Sequence, residues 1–334
     1  MIESQDEIIG KIKARIDEAE RIAVFGHVRP DGDAIGSVLG MGWALELAGK
    51  QVQFVSNDDL PRSGIFRIED FVEKIPFVKE PGPFDCSILL DISDIRRAGD
   101  YFNREDSPIP DICIDHHVSN PGIAKINWVD PEAAATAILV ARLIPHLGLQ
   151  MNLPIATALL SGIISDTQTF STRNTNPESL RISADLIEQG ADLYDLILTV
   201  VKAHSFEAGK YWGYGLGKMQ LADGVLWSTL TLEDQKKSGY EEDDDANLIN
   251  FLSSTTNAAV SVLFIEMSAS TVRVSWRALP GTDVSKIAEK FGGGGHVLAS
   301  GATIFDSLDL AIPPVLEMTK RMMSGRSVST EDER

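Results

Sequence analysis

Three short apolar runs within the first 120 residues each end on side chains able to hold a proton or a cation. RIAVFGH closes on His27, FDCSILLD on Asp91, and DICIDHH on Asp115, His116 and His117. Each run has the length and the branched apolar content of a buried strand. QVQFVS reads as a further strand. Helical stretches lie between them. Ile8, Ile9, Ile12 and Ile16 recur at helical spacing within residues 5–19, and residues 34–49 carry Gly36, Ser37, Gly40 and Gly42, small enough for close packing on a sheet. Strands alternating with helices imply a largely parallel sheet with helices on its faces, and ligands of such sheets gather at the carboxyl ends of the strands. The fold class expected is therefore α/β, with an N-terminal doubly wound, largely parallel sheet whose polar strand ends share one site.

Further helices are expected over 133–147, 154–165 and 177–188, with a helical region across 193–218. After Gly224 the texture changes to alternating strands, VLWSTLTL, AAVSVLFIEM and TVRVSWRAL. A short helix over 284–291 leads into a glycine run, followed by the strand SGATIF and a last helix. This reads as a smaller C-terminal α/β unit. The boundaries expected are 1–195 for a catalytic domain, 196–222 for a helical linker, 223–325 for the second domain and 326–334 for a charged, disordered tail. The acidic run Glu241–Asp245 reads as a solvated turn and helix start. Two domains also suit 334 residues at about 150 residues per domain.

The formal net charge of −19 disfavours partners held by counterion release, long duplex nucleic acid above all. No apolar run approaches the roughly 18 to 20 residues that cross a bilayer, and the acidic, amphipathic N-terminus does not resemble a signal peptide. Cys86 and Cys113 sit inside apolar strand-like runs and read as buried free thiols in a reducing compartment. The expected location is cytoplasmic, without a membrane partner.

His27, Asp31 and Asp33 crowd into the turn-rich loop GHVRPDGD, where Gly32 lets both carboxylates bend toward one cavity. Asp91 ends a strand, DHH ends another, and Asp166 lies where the apolar helix LLSGII turns polar. A single Asp after a strand is more often a helix cap than a ligand, and a single His is more often a surface or core residue. Together these groups would concentrate charge that only a cation balances. Manganese and magnesium favour oxygen ligands, and manganese also accepts imidazole nitrogen. His146 and His204 lack this context and read as structural.

The blocks GHVRPDGDAIGS, LLDISDIRR, CIDHHVSN and GIISDTQTF resemble the four ordered motifs of the DHH phosphoesterase superfamily, and FGGGGHVLASGA resembles the glycine-rich motif of the associated DHHA1 domain. These five blocks span residues 26–302. Size and architecture resemble the branch of nanoRNase/pAp phosphatases, oligoribonucleases that also dephosphorylate 3′-phosphoadenosine 5′-phosphate (pAp). Gly26 departs from the Ser or Thr common at that position, and Ser300 from the usual Ala, which weakens transfer of fine substrate preference.

The resemblance implies an N-terminal DHH domain, a C-terminal DHHA1 domain and two manganese ions, replaceable by cobalt or magnesium. His27, Asp31 and Asp91 would hold one ion, and Asp33, Asp91, His116 and Asp166 the other, with Asp91 shared. Asp115 would orient the site, and His117 would face the scissile phosphate. Arg277, Gly293, Gly294, Gly295 and His296 would bind a phosphate or terminal nucleotide, since glycines let backbone N–H groups approach an anion and a guanidinium matches phosphate oxygens. Arg273 reads as a strand-surface charge, and the choice between Arg96 and Arg97 stays open. The partners implied are short RNA or DNA oligonucleotides or a nucleoside bisphosphate, and a homodimer stays open. Competing readings are a RecJ-like single-strand exonuclease, a phosphodiesterase of cyclic dinucleotides or their linear products, a family II pyrophosphatase, and a catalytically dead nucleotide sensor. The sensor is disfavoured because all six metal donors are present.

Overall fold

The computed structural model describes residues 3–58, 77–198 and 204–324, with the backbone but not the side chains of His296 and Ser324. The expected disordered tail, 326–334, lies outside the described residues, as does 199–203 of the expected linker. The chain forms two compact units, Met1–Ala203 and His204–Arg334.

In the first unit α1 (Gln5–Glu18) opens on a capping box between Ser4 and Glu7 and buries Ile9, Ile12 and Ile16. It leads into β1 (Arg21–Phe25), α2 (Gly32–Leu47), β2 (Gln51–Val55), β3 (Cys86–Leu90), β4 (Ile112–Asp115) and β5 (Ile126–Val129). Then follow α3 (Thr136–His146), α4 (Leu153–Asp166), α5 (Pro177–Glu188) and the single turn α6 (Leu193–Leu196). The sheet runs β2-β1-β3-β4-β5, and every pair within it is parallel. Both faces are covered, so residues alternate between two cores along β1. Ile22 and Val24 join the cluster under the helices, while Ala23 and Phe25 join the opposite one with Phe102. This is the doubly wound sheet expected.

α2 is buried nearly all round and lies directly on α4. A Cβ on Gly36 would stand 2.4 Å from the Ala158 carbonyl oxygen, so only glycine permits this approach. The close contact brings the N-terminal turn of α2 beside the C-terminal turn of α4. α3 starts three residues later than the expected 133, because Ala133 to Ala135 precede it in non-helical backbone and Ala135 supplies no side-chain cap. The cap comes from Asp33, whose oxygens accept from the N–H groups of Thr136 (2.6 Å) and Ala137 (2.9 Å). Among the described residues, the expected continuous helical region across 193–218 is instead α6 and, in the second unit, α7 (Phe206–Leu216).

The second unit continues with β6 (Gln220–Ala222), β7 (Val225–Leu230), α8 (Leu232–Ser238), α9 (Leu248–Ser253), β8 (Val260–Ser268) and β9 (Thr271–Ala278). It ends with α10 (Ser285–Glu289), β10 (Gly294–His296), β11 (Ala299–Ile304) and α11 (Leu308–Ser324). The strand order is β10-β11-β9-β8-β7-β6, antiparallel except for β7 with β8. Val262, Phe264, Val274 and Trp276 pack on one face with Ile287 and Val315, and Leu263 and Ile265 pack on the other with Tyr211 and Leu252. The acidic run forms the expected turn into α9, with Asp245 accepting from the N–H of Ile249 at 3.1 Å.

Candidate metal centre

A doubly wound sheet of order 2-1-3-4-5 reverses direction between its first and third strands, and the crevice at that switch point is where its ligands bind. Here β1 delivers His27 and β3 delivers Asp91 to that crevice, with β4 delivering Asp115, His116 and His117 beside them. Asp31 is the N-cap of α2, accepting from the N–H groups of Asp33 and Ala34 at 3.1 Å each. Asp33 sits in the first turn of α2, and Asp166 is the last residue of α4.

The donors converge. Nε2 of His27 lies 3.6 Å from Asp31 and 3.5 Å from Oδ2 of Asp91. Nε2 of His116 lies 3.6 Å from Oδ1 of Asp91, 3.7 Å from Asp166 and 4.0 Å from Asp33. Asp91 thus turns one oxygen toward each histidine. Its backbone takes φ +61°, a left-handed conformation uncommon for a non-glycine residue. It is not a helix cap. Its Oδ1 instead accepts a hydrogen bond of 3.0 Å from the Thr136 hydroxyl.

Within each of three groups the donor atoms lie within 4.8 Å of one another: His27, Asp31 and Asp91; Asp33, His116 and Asp166; Asp91, His116 and His117. Carboxylate oxygens with a minority of imidazoles suit a hard or borderline divalent cation. The electrostatics agree. Burial, together with Asp91 and Asp166, pushes the Asp33 carboxyl well above its ordinary range. Burial, with Asp91 and Asp31 also raising it, brings Asp166 to about 6. For both histidines burial acts downward but is outweighed. Asp31 and Asp91 bring His27 to about 10, and Asp33, Asp91 and Asp166 bring His116 to about 9. Without a cation, protons hold the balance among these groups.

Asp115 is fully buried and serves its neighbours. Its Oδ1 accepts from the backbone N–H of His117 at 3.2 Å and lies 2.7 Å from His117 Nδ1, while Oδ2 accepts from Asn120 at 2.7 Å. Although burial acts upward, the His117 contact holds the Asp115 carboxyl below its ordinary value.

The adjacent arginines differ. Arg96 is exposed and pairs with Asp94, whereas Arg97 Nη2 lies 2.9 Å from His27 Nδ1. Sequence reasoning missed Thr136, Asn120 and Asn174. Asn174 donates to Asp166 at 3.4 Å and to the Ala134 carbonyl at 2.8 Å. Only Asn120 had a signal, since it closes the block CIDHHVSN.

In the second unit Arg277 lies on β9, half-buried, with Nε donating to Asn250 Oδ1 and Nη1 to the Trp276 carbonyl, both at 3.1 Å. Arg273 is likewise half-buried rather than an open surface charge. The glycine run is only partly a loop, because Gly294–His296 forms the edge strand β10 against β11. Gly293 and Gly295 are required by that hairpin. A Cβ on Gly293 would stand 2.1 Å from the Gly301 carbonyl oxygen, and Gly295 takes φ +139°. Gly294 faces open space. The register puts His296 opposite Ala299 and Ala299 opposite Arg277, so Arg277 and His296 share one row of the sheet.

A model of the DHH family's N-terminal domain matches residues 21–163, and a model of the DHHA1 domain matches residues 223–324. The chain belongs to the DHH family of phosphoesterases and is a hydrolase. It is 36% identical over 314 residues to the bifunctional oligoribonuclease and PAP phosphatase NrnA of Thermus thermophilus, covering 91% of this chain and 90% of that one. A namesake from Bacillus subtilis is 26% identical over 304 residues, covering 86% and 90% of the two chains. Among solved structures, an exopolyphosphatase-related protein from Bacteroides fragilis superposes with a TM-score of 0.83 at 26% identity, over 94% of this chain and 95% of that one. Among the described residues no helix is long and apolar enough to cross a membrane.

Proposed function

We propose that the chain is a manganese-dependent phosphoesterase that hydrolyses short oligonucleotides and pAp in the cytoplasm. One observation carries this reading: Asp91 offers its two oxygens to two different groups of donors, Oδ2 beside His27 and Oδ1 beside His116. His27, Asp31 and Asp91 would hold one divalent cation, and Asp33, Asp91, His116 and Asp166 the second. Such a pair supplies the positive charge that activates water and neutralises phosphoryl oxygens.

The chain's own residues do the rest. Thr136, Asn174 and the N-terminus of α3 fix the carboxylates in place. Asp115 engages Nδ1 of His117, orienting the ring so that Nε2 can hold a proton for the leaving oxygen. Arg277 and the row it shares with His296 would bind the substrate's terminal nucleotide in the second unit. Substrates named for the Thermus thermophilus and Bacillus subtilis relatives support the choice of oligoribonucleotides and pAp. The acidic chain supports short rather than long nucleic acid. Cys86 and Cys113, buried free thiols, fit a reducing compartment.

The test is a panel of pAp, a dinucleotide, a pentamer, a long single strand and pyrophosphate, assayed with manganese and then with chelator. Chelator-sensitive cleavage confined to pAp and the short oligomers is expected. Processive cleavage of the long strand, or turnover of pyrophosphate alone, would replace this reading.

A further inference from the structure

Arg96 and Arg97 follow Asp91 on one short helical turn and point to different tasks. Arg96 closes an ion pair with Asp94 at the surface. Arg97, half-buried, lines a cavity of about 500 Å³ together with Ser93, Asp94, Ser119 and the apolar Ile95 and Ile123. Asp94 is the carboxylate of this group and is already neutralised by Arg96. Among the described residues neither the Ser93 nor the Ser119 hydroxyl makes a hydrogen bond to the protein, which leaves one cation and two hydroxyls facing the cavity.

Arg97 is also loosely committed. Its hydrogen-bond neighbour is His27 Nδ1, and the Val28 carbonyl oxygen lies 2.8 Å from that same nitrogen. A ring nitrogen that donates to Val28 cannot accept from Arg97. Arg97 thus links the cavity to His27 of the candidate metal centre, and none of the residues lining the cavity belongs to the donor set.

We propose that Arg97, with Ser93 and Ser119, forms an anion subsite that receives a second phosphate of the substrate, beside the phosphate being cleaved. This rests on the phosphoesterase reading and deepens it. A planar guanidinium grips two phosphate oxygens at once, and the hydroxyls take the third. The subsite selects substrates bearing two phosphates, such as nucleoside bisphosphates or 5′-phosphorylated dinucleotides, over nucleosides with one.

The test compares kcat/KM for pAp with that for adenosine 3′- and 5′-monophosphate, using the full chain loaded with manganese. Arg97→Gln is expected to cut the preference for pAp at least about tenfold, the equivalent of about 1.4 kcal/mol. Arg97→Lys keeps part of that preference. Ser119→Glu, which adds a negative charge on an exposed residue, lowers it in the same direction. Manganese affinity, measured by calorimetry on each variant, stays within about twofold on this assignment, because the Val28 carbonyl rather than Arg97 holds Nδ1 of His27. An unchanged preference overturns the proposal. So does an equal loss on all three substrates together with weakened manganese binding, which would make Arg97 a support for His27. Wild-type protein that cleaves none of the three removes the phosphoesterase reading itself, and the subsite with it.

Discussion

The Thr136 hydroxyl donates to Oδ1 of Asp91 at 3.0 Å, joining the first residue of α3 to the carboxylate that faces both histidine groups. The same residue's N–H donates to Asp33. One threonine thus holds two acids that are 58 positions apart in the sequence, 91 less 33.

Thr136→Val removes the hydroxyl but keeps the shape and the backbone donor. It is expected to weaken manganese binding about 10- to 100-fold, the usual effect of losing a group that orients a ligand. Thr136→Ser should restore most of the affinity. Calorimetric titration of metal-free protein checks both, and equal affinities for the Val variant and the wild type would remove the assigned role.

Asp91→Ala should lose both donor groups at once. The expected outcome is turnover near background and metal content well below that of the wild type, read by elemental analysis after gel filtration. Near-normal activity with manganese bound would refute the shared carboxylate.

The pH response of His117 depends on Asp115. Burial lowers the His117 pKa, and the Asp115 contact together with the charge of Asp91 more than reverses this, so the imidazole stays protonated to higher pH than usual. Asp115→Asn removes the negative charge, and His117 should then lose its proton at lower pH. An NMR titration of the metal-free protein shows this directly, with an unshifted His117 curve as the contrary result.

At the opposite end of the sheet Asp111 accepts from the Ser87 N–H (3.0 Å) and pairs with Arg15 and Lys125 (3.1 Å each). Although burial acts upward, these partners hold its pKa below the ordinary value. A depressed carboxyl adds stability above its unfolded pKa and loses it as pH falls through the folded one. Asp111→Asn should therefore cost about 1–3 kcal/mol at pH 7, and the difference from wild type should shrink in acid. Urea denaturation at the two pH values measures it.

The glycine run should split by position. Gly293→Ala forces a clash with β11 and is expected to lower the urea midpoint of the second unit markedly. Gly294→Ala meets nothing and should fold normally, within about 0.5 kcal/mol. If the backbone there meets substrate phosphate, this second variant raises KM.

Much of this arrangement is legible in the chain. The apolar runs that end in His27, Asp91 and Asp115 are strands, and their order along the chain already implies a parallel sheet with a polar edge. The start of α3 was not legible, because its cap is a carboxylate from residue 33 rather than a local one. Local reading extended that helix back through three alanines that favour helix. β10 escaped for a similar reason. Glycines carry no strand signal, and only the hydrogen bonds of β11 make Gly294–His296 a strand. The partners of Arg97 and Thr136 depend on tertiary contact and leave no periodic trace.

The raised Asp33 and Asp166 carboxyls have a consequence for how the protein endures in solution. Four segments meet where negative charges crowd, and keeping Asp33 and Asp166 ionised there opposes folding when no cation is bound. A cation that binds only the assembled site stabilises the fold by RT ln(1 + [L]/Kd), about 2.7 kcal/mol at a hundredfold excess over Kd. On the proposed metal-dependent reading, the lifetime of this protein is tied to the supply of its cation, and starvation for that ion would thin its population as well as silence it.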